Sequence, residues 1–157
     1  MIIISGFFTF DTPERRTSMG GINLGRALIG GLVAGVVLNL GEYLLNGVVL
    51  AKQMSEYMTE HKFPQMTGSA IGVAMAMTFV LGFVMIFGYA AIRSRFGAGP
   101  KTAIIAALFA WFGAVVYPNV IGAAFGFIPT NLLLLLLGWE IVEYAIAAFV
   151  GAALYKE

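Results

Sequence analysis

Apolar and polar residues along this chain fall into blocks rather than alternating. Four long apolar stretches, at residues 27–50, 68–92, 102–125 and 131–155, are separated by short polar segments. Crossing a bilayer takes about 20 mostly apolar residues in a helix, and each stretch is long enough. Unpaired backbone is costly in hydrocarbon and the period-two alternation of a barrel strand is absent, so the pattern predicts four transmembrane helices. Basic residues mark their ends: Arg26 and Lys52 flank the first, Arg93 and Arg95 close the second, Lys101 opens the third and Lys156 follows the fourth. Long cationic side chains at such positions reach the headgroups while their stems stay in the apolar layer.

Two segments lie outside the spans. In residues 52–65, Met54, Tyr57, Met58 and His61 recur at helical spacing against Ser55, Glu56, Thr59 and Glu60. This predicts a short amphipathic helix lying on the outer membrane surface and ending at Pro64. Residues 1–18 begin with a short apolar run that is too brief for a span, lacks a basic leader and is followed by no small-residue cleavage site. They are expected to be an extension, either a mobile interfacial anchor or an artefact of start-site choice. Residues 19–157 then form a single transmembrane domain.

With four spans, both termini and the loop after the second span share one side. That side holds Arg15, Arg16, Arg26, Arg93, Arg95, Lys101 and Lys156, against Lys52 and Lys62 on the other. The bias predicts a multi-pass protein of the inner (cytoplasmic) membrane with both termini cytoplasmic. The expected fold is all-α: a four-helix transmembrane bundle with a short outer interfacial helix.

Composition narrows the function classes. The chain is 60% hydrophobic and 11% charged, where soluble domains carry roughly 45–50% apolar and about 25% charged residues. A water-soluble globule and a disordered chain are both excluded. The absence of cysteine removes disulfide scaffolds, thiolate metal sites and a cysteine nucleophile, and the single histidine, His61, removes any two-histidine site within one chain. A net charge of +1 gives no reason to expect nucleic acid as a partner.

Small residues indicate helix packing. Gly31 and Gly35 form a G-x-x-x-G pair in the first span, Gly68, Gly72 and Ala76 repeat the spacing in the second, and Ala147 and Gly151 supply it in the fourth. Such residues let backbones approach closely, within the bundle or against another subunit.

Three acids lie inside the spans: Glu42 in the first and Glu140 and Glu143 in the fourth, with no lysine or arginine deep in any span. A charge near the bilayer centre costs at least ~2.5–3.5 kcal/mol on insertion scales. These carboxyls must be protonated, hydrogen-bonded, hydrated or holding a cation. Counting from span centres at ~1.5 Å per residue places Glu42 and Glu140 about 4–5 Å outward of the midplane. Thr78 and Asn119 fall in the same layer, so each span contributes one polar side chain. Asn39 and Asn46 extend the first-span stripe, and Glu143 and Tyr144 the fourth. Pro118, beside Asn119, frees a backbone carbonyl one turn earlier, near Ala114.

Three uses of this layer stay open. It is a hydrogen-bonded structural layer, or a proton or hard-cation site with Thr78 and Asn119 as neutral oxygens, or a contact with a neighbouring subunit, pigment or lipid headgroup. The paired Glu42-Tyr43 and Glu143-Tyr144 also hint at an inverted repeat of the sort found in transporters. Other candidates carry less. The run from Gly97 to Thr102 lacks the order of a phosphate-binding loop and reads as a tight turn. His61 is expected to be an ordinary hydrogen-bonded histidine, and Trp111 and Trp139 bundle or interface aromatics. No serine–histidine–acid set lies within the spans, so no enzymatic activity is expected.

The layout resembles a family of small four-helix bacterial membrane proteins that has no assigned activity. The resemblance covers roughly residues 20–157 and rests on Leu38-Asn39-Leu40-Gly41-Glu42 at the end of the first span, the amphipathic loop, and a fourth span that runs from Gly138-Trp139-Glu140 to Gly151. It carries no functional residues across, and the cofactor stays unknown. Two functions remain. One is a non-catalytic accessory or structural subunit packing within a larger membrane complex, such as an energy-transducing one. The other is a small oligomeric proton- or cation-coupled transporter or channel using Glu42 and Glu140. Lipid and either other membrane subunits or further copies of the chain are the expected partners.

Overall fold

The computed structural model describes residues 21–64 and 66–155. The 1–18 extension expected from the sequence lies outside the described residues. Among the described residues, the regular structure is all helical. The first span is α1 (Leu24–Leu44) continued by a wider π turn (Leu45–Val49), and the short α2 (Ala51–Glu60) follows it. The second span is α3 (Gly68–Phe96). The third is α4 (Pro100–Trp111), a second π turn (Phe112–Val116) and α5 (Tyr117–Ala124); the fourth is α6 (Thr130–Leu154). All four spans are long and apolar enough to cross a membrane, and each begins and ends within a few residues of the stretch that predicted it. The protein is a multi-pass membrane bundle with one short helix outside it.

Local chemistry sets the helix ends. Asn23 and Thr67 cap α1 and α3, their side chains accepting from the backbone N–H groups of Arg26 and Ala70. Pro100 occupies the first turn of α4, where its missing N–H costs nothing. The turn between α3 and α4 needs φ = 84° at Gly97 and 132° at Gly99, values that a residue with a Cβ seldom adopts. It is the tight turn expected there. The short helix ends earlier than expected. Pro64 was to stop it, but Lys62 already adopts φ = 55° and α2 closes at Glu60 with His61 as its cap.

The four spans form a ring in which α1 packs on α3 and α6, and α4 packs on the same two. Bare backbone makes the closest approaches. A methyl group at Gly82 would lie 2.5 Å from the Gly35 nitrogen and 2.6 Å from the Gly31 carbonyl oxygen. Gly31 in turn faces Phe83, Gly35 faces Phe79, and the Asn39 amide reaches the Met75 carbonyl at 3.4 Å. Each step of four along α1 is matched by four backwards along α3, the register of two antiparallel ridges interdigitated. On its other flank α1 meets α6 through Gly30 and Gly151, whose added methyl groups would lie 2.5 and 2.8 Å from the opposing carbonyl oxygens.

Gly68 and Gly72 do not pack within the bundle, one of the two uses expected of them. Both are exposed, and a Cβ on either meets nothing within 4 Å. They share the spacing of Gly31 and Gly35, but that end of α3 stands away from the bundle. Gly82, which belongs to no G-x-x-x-G pair, does the packing instead.

Candidate functional site

The acids come from the two helices that pack face to face, α1 and α6. Where Gly30 meets Gly151 the backbones are close, and further along the same register Glu42 lies opposite Glu140. Their carboxyls are within hydrogen-bonding reach of each other. Two carboxylates cannot bond; a proton between them can make the bond. Asn46, one turn beyond, donates to Glu42 Oε2 at 2.7 Å and satisfies that oxygen from the same helix.

Glu143 has its own seat. Its carboxyl lies against Gly41, where any Cβ would overlap it. Gly41, one residue before Glu42, therefore leaves open the space that the carboxyl fills. The indole N–H of Trp139 donates to Glu143 Oε2 at 3.1 Å, across one turn of α6. Glu140 and Glu143 are only 4% and 6% exposed, and Tyr144 is buried beside them. Glu140 and Glu143 are in Coulombic range of one another and of Glu42.

Satisfaction of this cluster is incomplete. Apart from a proton shared with another carboxyl, no N–H or O–H donor among the described residues reaches Glu140 Oε2 or Glu143 Oε1, both enclosed. A buried acceptor left without a donor costs about 1–3 kcal/mol, more when it is charged. No lysine or arginine occurs between residues 27 and 51 or between residues 131 and 155, so neither helix supplies a counter-charge at this depth. The available chemistry is proton sharing within the cluster or the arrival of an external cation.

The other layer residues are placed differently. Thr78 donates to the Ala74 carbonyl at 3.0 Å and Asn119 to the Val115 carbonyl at 2.9 Å. These bonds run along their own helices and do not reach the carboxyls. Asn39 faces α3 rather than the acids, bonding the carbonyls of Gly35 and Met75. Of the residues read from the sequence, the structure thus brings together Glu42, Asn46, Glu140, Glu143 and Tyr144. Among the described residues, no group of three or more histidine, cysteine or acidic side chains is arranged to hold a metal ion. The third span does loosen before Pro118, in the form of the π turn, whose closing bond runs from the Tyr117 N–H to the Phe112 carbonyl.

Gly41 and Trp139 are the site residues that sequence reasoning missed. Both left a signal: a glycine beside an intramembrane acid, and a donor four residues before another, which is the spacing of facing side chains on a helix.

The loops at the α2 end form a second polar–aromatic group. Tyr57 donates its hydroxyl to the Gly126 carbonyl at 2.8 Å. His61 stacks on Tyr57 with ring centroids 4.0 Å apart, and its Nδ1 lies 3.0 Å from the Tyr57 carbonyl oxygen. Phe63 and Phe127 extend the stack. This is the ordinary, bonded histidine expected; it ties α2 to the loop between α5 and α6.

No protein-family model, curated protein or solved structure matches this chain.

Proposed function

We propose that the protein is a small proton-coupled membrane transporter or channel, in which Glu42 and Glu140 share a transferable proton and Glu143 is the adjoining charge site. One observation carries this reading: three carboxyls meet inside two packed transmembrane helices, two of their oxygens are buried without a donor, and no basic side chain stands near them in sequence on either helix. A purely structural layer would be expected to leave fewer acceptors open, since buried polar groups are nearly always paired. The π turn that begins three residues after Glu42 supports a mobile role, as such turns are frequent at functional sites. A proton fits better than a metal ion, because no ligand set for a metal is gathered around the acids.

The orientation proposed is that of the basic-residue bias: inner membrane, both termini cytoplasmic, α2 outside. Cysteine labelling on this cysteine-free chain checks it; a cysteine at position 97 reacts only from the cytoplasmic side, and labelling from outside reverses the assignment.

The functional test is proton flux into liposomes containing the purified full-length chain, read with an entrapped pH dye under an imposed gradient. Glu42→Gln and Glu140→Gln keep side-chain shape and most hydrogen bonding while removing the ionisable group. Each is expected to lower flux at least tenfold with the thermal midpoint in detergent little changed. Flux equal to that of empty liposomes in the wild type refutes the reading.

A second role has one observation in its favour. Every residue of α3 from Gly68 to Met77 is exposed, a face that another membrane subunit or a second copy would cover. An accessory subunit of a larger complex predicts a stoichiometric partner after mild solubilisation of native membranes; a homo-oligomer predicts only the chain itself.

A further inference from the structure

Along the outside of the α1–α6 contact runs a groove of about 660 Å³, with Val37, Leu40, Gly41 and Leu44 on one side and Trp139 and Glu143 on the other. That volume lies within the ~300–1,000 Å³ typical of small-molecule sites. Leu40, Leu44 and Val142 on its rim are exposed. They lie well inside the two spans, so the groove opens sideways into hydrocarbon rather than into water.

Its walls are apolar except for one ionisable group. Glu143 lines the groove, yet its Oε1 is enclosed and has no donor, while Oε2 is held by Trp139. We propose that this groove binds lipophilic ammonium ions that have partitioned into the bilayer. The hydrocarbon part fills the apolar walls, and the ammonium N–H donates to the Glu143 carboxyl, which turns at the end of its flexible side chain to bring the enclosed Oε1 to the groove. Neutral apolar molecules fill the walls but leave the buried acceptor unmet. Anions are repelled by the acids behind it. The inference adopts the proton-handling reading of the acids for one purpose, charge balance: each ammonium ion that binds displaces one proton from the cluster, so no net charge is added within the membrane.

The test uses the full chain in zwitterionic lipid nanodiscs, carrying Trp111→Phe so that Trp139 is the sole tryptophan. The probes are N,N-dimethyldodecylamine, protonated at neutral pH, and its uncharged counterpart dodecyl methyl ether. The amine is expected to change Trp139 emission saturably and the ether is not. Glu143→Gln should weaken amine binding at least tenfold. Gly138→Leu should abolish it by filling the groove, and this variant does not depend on the acid: Gly138 lines the groove and a Cβ there meets nothing within 4 Å, so the side chain starts in open space. An unchanged thermal midpoint in detergent checks that the variant folds. Amine binding that survives Gly138→Leu, or an equal response to amine and ether, overturns the proposal. So does spontaneous cross-linking of Gly138→Cys between two chains without amine, which would show that a second copy fills the groove. Proton flux is read separately in liposomes. An amine that fails to bind leaves that result standing, and a chain without flux that still binds amine leaves the groove standing.

Discussion

The two halves of the bundle close by different means. The half nearer the termini is sealed by backbone contact, through Gly31, Gly35 and Gly82 between α1 and α3 and through Gly30 and Gly151 between α1 and α6. Tyr155 then ties that end. Its hydroxyl accepts from the Asn23 backbone N–H at 3.1 Å, its ring meets Tyr89 edge-on at 6.0 Å, and the Arg93 guanidinium lies 5.4 Å from its centre. In the half nearer α2, the first part of α3 is exposed throughout, both π turns interrupt their spans, and the acids occupy the space between α1 and α6. Backbone in direct contact leaves α1 no room to shift against α3 and α6; open packing around polar groups leaves such room. The glycine-sealed half, the base, is the more rigid of the two, and on the proposed function the movement that couples protons to a ligand would belong to the other half.

The sharpest way to break this contrast is to unseal the base. Gly82→Val places its first carbon 2.5–2.7 Å from the α1 backbone. Backbone cannot move aside as a side chain can, so α1 and α3 must separate. A loss of about 3 kcal/mol, the upper end of ordinary overpacking, is expected as a collapse of the thermal midpoint in detergent. A merely small shift would show that the base is not sealed there.

In the other half the same kind of substitution should be milder for folding and harsher for function. Gly41→Ala drives its methyl group into the Glu143 carboxyl, but the atoms it meets are the end of a flexible side chain. Glu143 gives way and loses its bond from Trp139, at a cost of about 1–2 kcal/mol. Trp139 emission should shift and amine binding in the groove should fall, while the bundle remains assembled. Unfolding as severe as that of Gly82→Val would mean that both halves are equally rigid. At the terminal clamp, Tyr155→Phe removes the hydroxyl that accepts from the Asn23 N–H and keeps the ring. About 1 kcal/mol of stability should be lost, with proton flux unchanged because the clamp lies in the base.

Much of this division was legible in the sequence and part was not. Spans are written in runs of apolar residues, because the bilayer sets their length, and all four came out within a few residues. The acids were legible for the same reason, since an ionisable group in an apolar run stands out. Which side chains meet was not, because it depends on helix rotation. Thr78 and Asn119 matched the acids in depth but turned their donors to their own carbonyls, an option open to any short polar side chain in a helix. The π turn after Glu42 has no marker in sequence, whereas the one before Pro118 does. Gly68 and Gly72 carried the packing pattern and pack nothing within the bundle, because spacing defines a face without stating what it faces.

That last pair gives the smallest expected effect and a direct measure of the open half. A Cβ at position 72 meets nothing within 4 Å, and alanine is better than glycine in a helix by roughly 0.5–1 kcal/mol. Gly72→Ala in the isolated chain should therefore raise the thermal midpoint slightly, the opposite sign to Gly82→Val although both replace a glycine of α3. If a neighbouring chain covers this face in the native membrane, the two environments will disagree. The variant then gains stability as a purified single chain and loses its partner on solubilisation from the membrane, because a methyl group that meets open space in one state meets packed backbone in the other. Equal behaviour in both would place the first turns of α3 against lipid alone, and the open half would owe its shape to the acids and the π turns.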